Sequence, residues 1–206
     1  MVEDLLIGDF NMDDFLSLEE ADATQINAGS KAIKVIIIID ASNSMKGYKL
    51  GAVNDAVNNL VEKLSRMSKS YASSIEVMGI VFSNRVSKWS SEFIPVAEFS
   101  YSFIETTGGK SDVTKVLEEL TRICQKQLVG EEQNVILFFT DGLLTVEYEA
   151  ELACLNENEI FKAAKKYCVS FEEDIQDELS MEFFNAFSNN EPIPINEVDL
   201  IYESIF

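Results

Sequence analysis

Residues 34–45 read Lys-Val-Ile-Ile-Ile-Ile-Asp-Ala-Ser-Asn-Ser-Met, an apolar run that stops at an acid followed by two hydroxyls. A continuous run of β-branched residues favours a strand buried on both faces, as in a parallel sheet covered by helices. Ligands commonly bind at the carboxyl ends of such strands. Asp40, Ser42 and Ser44 thus offer oxygen ligands of the kind that a hard cation such as Mg²⁺ prefers. The alternative is a polar turn in which Asp40 and Ser44 only cap the next helix.

A second apolar run, residues 134–139, is followed by Thr140 and Asp141. The carboxyl ends of neighbouring parallel strands meet at one edge of the sheet, so Asp40 and Asp141 can lie together there. Between the two runs is a glycine-rich loop, residues 107–112, whose hydroxyls can reach the same edge. Three polar loops are therefore expected to converge on one site.

Hydrophobic periodicity predicts alternating strands and helices along the rest of the chain. Further strands are expected over residues 75–82, 86–89, 167–171 and 192–195, and helices over residues 47–68, 112–128, 149–166, 175–187 and 197–206. This alternation predicts an α/β fold: a Rossmann-like, doubly wound, mostly parallel sheet with helices on both faces. With 206 residues, 47% of them hydrophobic, the chain has enough apolar side chains for a substantial core.

Over roughly residues 33–206, the chain resembles the von Willebrand factor type A domain, because its three loops follow the order and spacing of that family. The metal-ion-dependent adhesion site of that family combines a D-x-S-x-S loop, a Thr in a middle loop and an Asp in a third. The resemblance implies Mg²⁺, or Mn²⁺ or Ca²⁺, held by Asp40, Ser42, Ser44, Ser111 and Asp141. It also makes the residues around them candidates for contact with a partner: Asn43, Lys46, Lys110 and Gly142.

Two positions depart from the family pattern. Asn43 replaces the usual Gly of the first loop, and Asn tolerates a left-handed backbone better than most residues, so the loop can survive the change. In the middle loop, Lys110 and Ser111 occupy the region of the family's Thr. A register shifted by one residue would turn an ammonium toward the metal and weaken binding by repulsion. Thr106 and Thr107 are the alternative hydroxyl ligands.

Charge and composition narrow the classes of function. The chain has 36 acidic and 16 basic residues, a net charge of -20 that repels nucleic acid and anionic membranes, so neither is expected as a partner. It has no histidine, which excludes His-based general base catalysis and His-ligated zinc. Cys124, Cys154 and Cys168 form no C-x-x-C pair and fit buried free thiols in a reducing compartment. No signal peptide or membrane-spanning run is evident, so a cytoplasmic location is expected.

Residues 1–30 form a separate compositional block, in which acids alternate with large apolar residues and no basic residue occurs. The predicted organisation is therefore an acidic N-terminal tail over residues 1–30 and a von Willebrand A-like domain over residues 31–206. Mixed acidic and apolar segments are typical of docking regions. An acid from this tail could fill the open metal position of a second copy and so drive self-association. Packing of the tail on its own domain is the alternative.

Three functions are compatible with these features. The leading interpretation is a metal-dependent protein–protein interaction module, not an enzyme, whose cation keeps a position open for an acidic group of a protein partner. A narrower resemblance, to short intracellular bacterial members associated with tellurite resistance and stress response, implies a scaffold in complexes with kinases, phosphatases or AAA-type ATPases. The alternatives are a Mg²⁺-dependent phosphohydrolase acting between Asp40 and Asp141, and a scaffold with a vestigial metal site.

Overall fold

The computed structural model describes residues 32–70, 74–128, 132–144, 146–199 and 201. The predicted acidic tail over residues 1–30 lies outside these ranges, as does much of the helix predicted over residues 197–206. Within the ranges, a mostly parallel sheet is flanked by helices, which confirms the fold class predicted from the sequence.

The described sheet has seven strands: β1 Ile33–Asp40, β2 Ile75–Phe82, β3 Val86–Lys88, β4 Ile94–Pro95, β5 Gln133–Phe139, β6 Lys165–Ser170 and β7 Ile193–Pro194. The α-helices of the same ranges are α1 Tyr48–Ser70, α2 Thr114–Lys126, α3 Glu149–Asn156, α4 Glu159–Ala163, α5 Glu172–Ile175 and α6 Glu178–Phe187. Short 3₁₀ turns occupy Asn43–Met45 and Ile195–Glu197. None of these helices is both long and apolar enough to span a lipid bilayer.

β1 lies inside the sheet, whose strand order is β3-β2-β1-β5-β6-β7, with β4 paired to β2. β1 runs parallel to β2 and β5, β6 runs parallel to β5 and β7, and the short β3 and β4 run antiparallel to β2. The register places Ile39 opposite Phe139. Asp40 and the residues after Phe139 therefore emerge at the same edge, which we call the carboxyl edge.

Alternate residues of β1 belong to two separate hydrophobic cores. Val35, Ile37 and Ile39 join the core that contains the apolar face of α1, whereas Ile36 and Ile38 join the core formed with α2, α3 and α6. All five side chains are buried. Because both faces of β1 are covered, the strand is apolar at every position from Val35 to Ile39 rather than at alternate ones. Each side chain contributes roughly 1.5–3 kcal/mol of transfer free energy.

Two of the predicted helices differ in extent from those in the structure. The helix predicted over residues 149–166 is interrupted before Asn158, whose side chain accepts hydrogen bonds from the first turn of α4. The helix predicted over residues 175–187 begins later, as α6 at Glu178, and Asp177 caps it in the same way; Ile175 is instead the last residue of α5. Side-chain caps compensate the free N–H groups of a new helix start, so the chain can turn without loss of apolar periodicity. The short strand β4 was not predicted.

The three cysteines are free thiols in two different environments. Cys124 and Cys168 are buried, as expected, and burial raises the pKa of the Cys124 thiol to about 11. Cys154 is exposed, so the prediction that it is buried was wrong. It lies on α3, and its side chain faces solvent, whereas Leu152 and Leu155 of the same helix are buried.

Candidate metal centre

Asp40, the last residue of β1, is fully buried at the carboxyl edge. Its Oδ1 accepts a hydrogen bond from the Ser42 backbone N at 2.8 Å, and its Oδ2 accepts from Ser111 Oγ at 2.7 Å and Thr140 Oγ1 at 3.0 Å. Burial raises the pKa of Asp40 against the opposing effect of the hydrogen bonds from Ser42 and Ser111, and the nearby charge of Asp141 raises it further. Neutral groups therefore hold this carboxylate, and among the described residues no lysine or arginine is paired with it.

The first loop brings its two serine hydroxyls together next to Asp40. Ser42 Oγ and Ser44 Oγ are 3.0 Å apart. Asn43 begins the 3₁₀ turn that follows Ser42, so the loop needs no left-handed residue there. The Asn43 backbone N donates to the Gly109 carbonyl at 3.1 Å, which ties the first loop to the middle loop. Buried Met45 anchors the other end of the turn.

The middle loop brings Ser111 to the carboxylate of Asp40, whereas the two threonines have other partners. Thr106 Oγ1 donates to a backbone carbonyl of the first loop at 3.1 Å, and Thr107 Oγ1 donates to the hydroxyl of a serine that follows β2 at 2.7 Å. Ser111 is buried and Lys110 is exposed. The loop therefore adopts the register that turns a hydroxyl, not an ammonium, toward Asp40.

Asn54 of α1 holds the middle loop in place and was not identified from the sequence. It is buried, its Nδ2 donates to the Ile104 carbonyl at 2.9 Å, and its Oδ1 accepts from the Ile104 N at 2.8 Å and the Tyr101 hydroxyl at 2.6 Å. One amide thus pairs with a loop backbone much as a neighbouring strand would. The feature of the sequence that could have indicated this role is the polar Asn54 directly after Val53, whose side chain faces the core.

Asp141, in the loop after β5, is buried near Asp40 but has different partners. Its Oδ1 accepts from the Leu143 backbone N at 3.2 Å, and its Oδ2 lies 3.5 Å from Lys49 Nζ. The Asp141 backbone carbonyl accepts a hydrogen bond from Ser180 Oγ of α6 at 3.0 Å. The second carboxylate of the site is thus held by a backbone amide and a cation.

Lys49 of α1 places an ammonium at this edge that the sequence analysis did not identify. Its Nζ lies 2.9 and 2.8 Å from the two carboxylate oxygens of Asp174, and 5.2 Å from the centre of the Phe171 ring. Burial lowers the pKa of Lys49, but the Asp174 hydrogen bond and the charges of Asp141 and Asp174 outweigh it and raise the pKa overall. Burial, with the charges of Asp141 and Glu173, likewise raises the pKa of Asp174 against the pull of Lys49. The ammonium of Lys49 is therefore shared by two acids, Asp141 and Asp174.

Of the residues predicted to contact a partner, Asn43, Lys46 and Lys110 are exposed, whereas Gly142 is buried. Gly142 has a φ of 74°, and a Cβ there would lie 2.7 Å from the Cβ of Ser180. A side chain at this position would therefore collide with α6 in a backbone conformation that favours glycine. Gly142 shapes the loop that carries Asp141.

The residues that converge at the carboxyl edge fit a hard divalent cation. Two carboxylates and three serine hydroxyls present only oxygen donors, which Mg²⁺ prefers, together with retained waters. Within the described ranges, no group of three or more acidic or cysteine side chains is placed to hold a metal ion by itself. A cation here would therefore depend on the neutral hydroxyls as well as on Asp40 and Asp141, whose mutual repulsion it would relieve.

Residues 35–143, more than half of the chain, match the family model of the von Willebrand factor type A domain. The matched region contains all three loops of the candidate metal centre. A comparison with curated proteins gives no match.

Several solved structures share the fold at low sequence identity. The von Willebrand domain of the type V pili tip protein Mfa5 from Porphyromonas gingivalis is 10% identical, with a TM-score of 0.65 over 86% of this chain and 96% of that one. The pilus adhesin SpaC from Lactobacillus rhamnosus GG is 12% identical, with a TM-score of 0.60 over 84% of this chain and 29% of that one. Proximal thread matrix protein 1 from the mussel byssus, with a zinc-occupied MIDAS motif, is 12% identical, with a TM-score of 0.58 over 85% and 47%.

The chain spans less than a third of SpaC and less than half of the byssus protein. At these identities the likeness shows a shared fold alone. The sheet order, the three loops and the family match lead to one conclusion: the chain belongs to the von Willebrand factor type A domain family.

Proposed function

We propose that this domain is a metal-dependent protein–protein interaction module, in which a divalent cation receives an acidic group of a protein partner. One observation carries the proposal: the buried Asp40 carboxylate lies near Asp141, and its partners among the described residues are all neutral donors. A buried charge without a counter-charge is costly, and a bound cation would remove that cost.

In this proposal, Mg²⁺, Mn²⁺ or Ca²⁺ is held by Asp40, Ser42, Ser44, Ser111 and Asp141. The two carboxylates balance its charge, and the hydroxyls add neutral oxygens that leave it electrophilic. The bound cation supplies a point of attachment for a carboxylate. The chain's own residues hold it, exclude bulk water from Asp40 and fix the positions of the loops.

Exposed groups around the centre favour an acidic partner. Lys46 and Lys110 flank it on the first and middle loops, and Asn43 adds an exposed amide. The chain as a whole is strongly acidic, with a net charge of -20, whereas these two exposed side chains are basic. Complementary charge of this kind steers association and selects among partners. Gly142 is buried, and we assign it to loop shape rather than to contact with the acidic group of the partner.

The family points to interaction rather than catalysis, since the structural neighbours include pilus proteins and a byssus matrix protein. A phosphohydrolase would need a general base and a cationic phosphate clamp. The chain has no histidine, and Lys49 is already engaged by Asp174. Membership of an intracellular bacterial stress-response or tellurite-resistance complex stays a prediction, because neither the family match nor these neighbours point to it.

Calorimetric titration of the full chain with Mg²⁺, Mn²⁺ and Ca²⁺ tests the proposal. We expect one site that is lost in Asp40→Ala and Asp141→Ala and retained in Asp55→Asn, a control that removes an exposed acid of α1. No binding of any of the three cations at millimolar concentration would leave only the scaffold with a vestigial site. A phosphatase assay with Mg²⁺ completes the test, and turnover that Asp40→Asn abolishes would show the protein to be an enzyme.

A further inference from the structure

A groove of about 320 Å³ lies beside the candidate metal centre, between the loop after β5 and α6. We call it the loop groove. Its apolar lining comes from Leu143, Leu144, Val146, Tyr148 and Leu179. Two exposed acids, Glu149 and Glu182, line it as well.

Most of the exposed large apolar side chains of the described residues line the loop groove. Five such side chains are exposed, and three of them line the groove: Leu143 at 45%, Val146 at 37% and Leu179 at 74%. Contiguous exposed apolar surface bordered by polar groups is typical of interaction sites, whereas single exposed side chains need no explanation.

The loop groove and the candidate metal centre share a backbone. Gly142 lines the groove and directly follows Asp141. Ser180, next to Leu179, donates to the Asp141 carbonyl at 3.0 Å. The same contacts therefore position one carboxylate of the centre and one wall of the groove. A ligand whose acid reaches the cation has its neighbouring residues within reach of the groove.

Charge differs between the two ends of this combined surface. Exposed Lys46 and Lys110 flank the metal centre, whereas Glu149 and Glu182 line the groove. A matching ligand combines an acid that reaches the metal centre with an apolar and a basic group that enter the groove. The chain's own residues 1–30 supply acids and apolar residues but no base, so the acids of the groove disfavour that segment of a second copy.

We propose that the loop groove recognises a protein segment in which a large apolar residue and a basic residue accompany the acid that reaches the cation. The inference rests on the proposed function and names the partner's chemistry. The apolar side chain packs against Leu143 and Leu179, and the base faces Glu149 and Glu182. Metal alone would bind acidic segments with little discrimination, and the groove adds selectivity.

Fluorescence anisotropy with labelled synthetic peptides tests this on the full chain in Mg²⁺ and in chelator. The reference peptide carries one Asp, one Leu two residues on and one Arg beyond it, in a Gly-Ser background. Three matched peptides replace the Asp by Asn, the Leu by Ser or the Arg by Glu. We expect the Asn peptide not to bind, and the Ser and Glu peptides each to bind about tenfold more weakly.

Two variants link the selectivity to the groove. Leu179→Ser, at a side chain too exposed to support the core, should weaken the reference peptide about tenfold and leave the Ser peptide unchanged. Glu182→Lys should reverse the preference between the Arg and Glu peptides. Phe103→Ser is the control, because Phe103 is also exposed but does not line the groove.

The outcomes separate this inference from the proposed function. Loss of metal binding in calorimetry would overturn the proposed function and this inference with it. Metal-dependent binding of equal strength for the reference, Ser and Glu peptides would overturn the proposed role of the groove alone. The same conclusion would follow if no peptide bound to the metal-loaded protein. A peptide of residues 1–30 that outcompetes the reference peptide and loses affinity in Leu179→Ser would assign the groove to a second copy instead.

Discussion

The loops after β1 and β5 each carry a buried aspartate, but the two carboxylates have different surroundings. Asp40 is held by a backbone N–H and by neutral hydroxyls, including that of Ser111. Asp141 lies near Lys49, which is bonded to Asp174. The first acid has no cation of its own among the described residues, whereas the second is partly neutralised.

Because of this difference, the two loops contribute differently to metal affinity. Neutral donors orient Asp40 without compensating its charge, so the energetic demand for a cation is concentrated there. Lys49 reduces the negative potential at Asp141 and therefore limits how tightly a divalent cation can bind. The affinity for metal then depends on two opposing charges, the uncompensated carboxylate of Asp40 and the ammonium of Lys49. Substitutions at either loop can change their balance.

The largest effect is expected from Asp40→Asn compared with Asp141→Asn. Both should weaken Mg²⁺ binding by more than about a hundredfold, since even the loss of an outer-shell partner of a metal ligand costs about 10–100-fold. Without metal they should differ. Asp40→Asn removes an uncompensated buried charge and should unfold at or above the wild-type temperature. Asp141→Asn deprives Lys49 of an acid and should unfold below it.

Titration calorimetry and thermal unfolding in chelator measure both quantities, with Asp55→Asn as the exposed control. If Asp40→Asn instead unfolds well below Asp141→Asn in chelator, the contrast between the two loops is incorrect.

The next effect should come from the two halves of the Lys49 and Asp174 ion pair, which we expect to act in opposite directions. Lys49→Met removes a positive charge beside Asp141 and should strengthen Mg²⁺ binding by roughly tenfold. Asp174→Asn leaves Asp141 as the acid next to the ammonium and should weaken binding by a similar factor. The double variant should resemble Lys49→Met.

Lys63→Met is the matched control, because Lys63 also lies on α1 but pairs with Asp199, away from the metal centre. Calorimetry gives the affinities, and circular dichroism confirms that each variant is folded. A change of the same sign in both single variants would show that the pair acts through stability and not through charge.

A smaller effect should distinguish Ser111→Ala from Thr106→Ala. Ser111→Ala removes a hydroxyl that bonds Asp40 Oδ2 and is proposed to contact the cation, so affinity should fall by about tenfold. Thr106 bonds a backbone carbonyl of the first loop, and its loss should change affinity little. The reverse ranking in calorimetry would move the middle-loop ligand to Thr106.

The smallest change in metal affinity is expected for Asn54→Ala, which acts at a distance. The substitution leaves the N–H and C=O of Ile104 without their partner, which costs about 1–3 kcal/mol of folding stability. Loosening of the middle loop should lower Mg²⁺ affinity only a few-fold. Asn58→Ala, one turn further along α1 in a more exposed position, is the control. Equal denaturant midpoints for the two variants would contradict the role of Asn54.

Local sequence patterns are sufficient to predict the strands that carry the site. Residues 34–39 and 134–139 are largely continuous apolar runs, and such runs are stable only where both faces are covered, so β1 and β5 were expected inside a parallel sheet. Neighbouring parallel strands end at the same edge of a sheet, which predicted that Asp40 and Asp141 would meet there. Apolar periodicity did not show where α4 and α6 begin, because N-caps such as Asn158 and Asp177 are local polar contacts.

The electrostatics of the site and the exact positions of its side chains follow from contacts that form when the chain folds. Lys49 lies 92 positions from Asp141 and 125 from Asp174, and no local pattern shows that α1 turns its ammonium toward them. The same holds for Asn54 and the middle loop. The loop groove depends on how closely α6 approaches Gly142, a matter of packing and not of periodicity. Strand burial is a property of the local segment, whereas charge compensation and surface shape arise from contacts between segments distant in the chain.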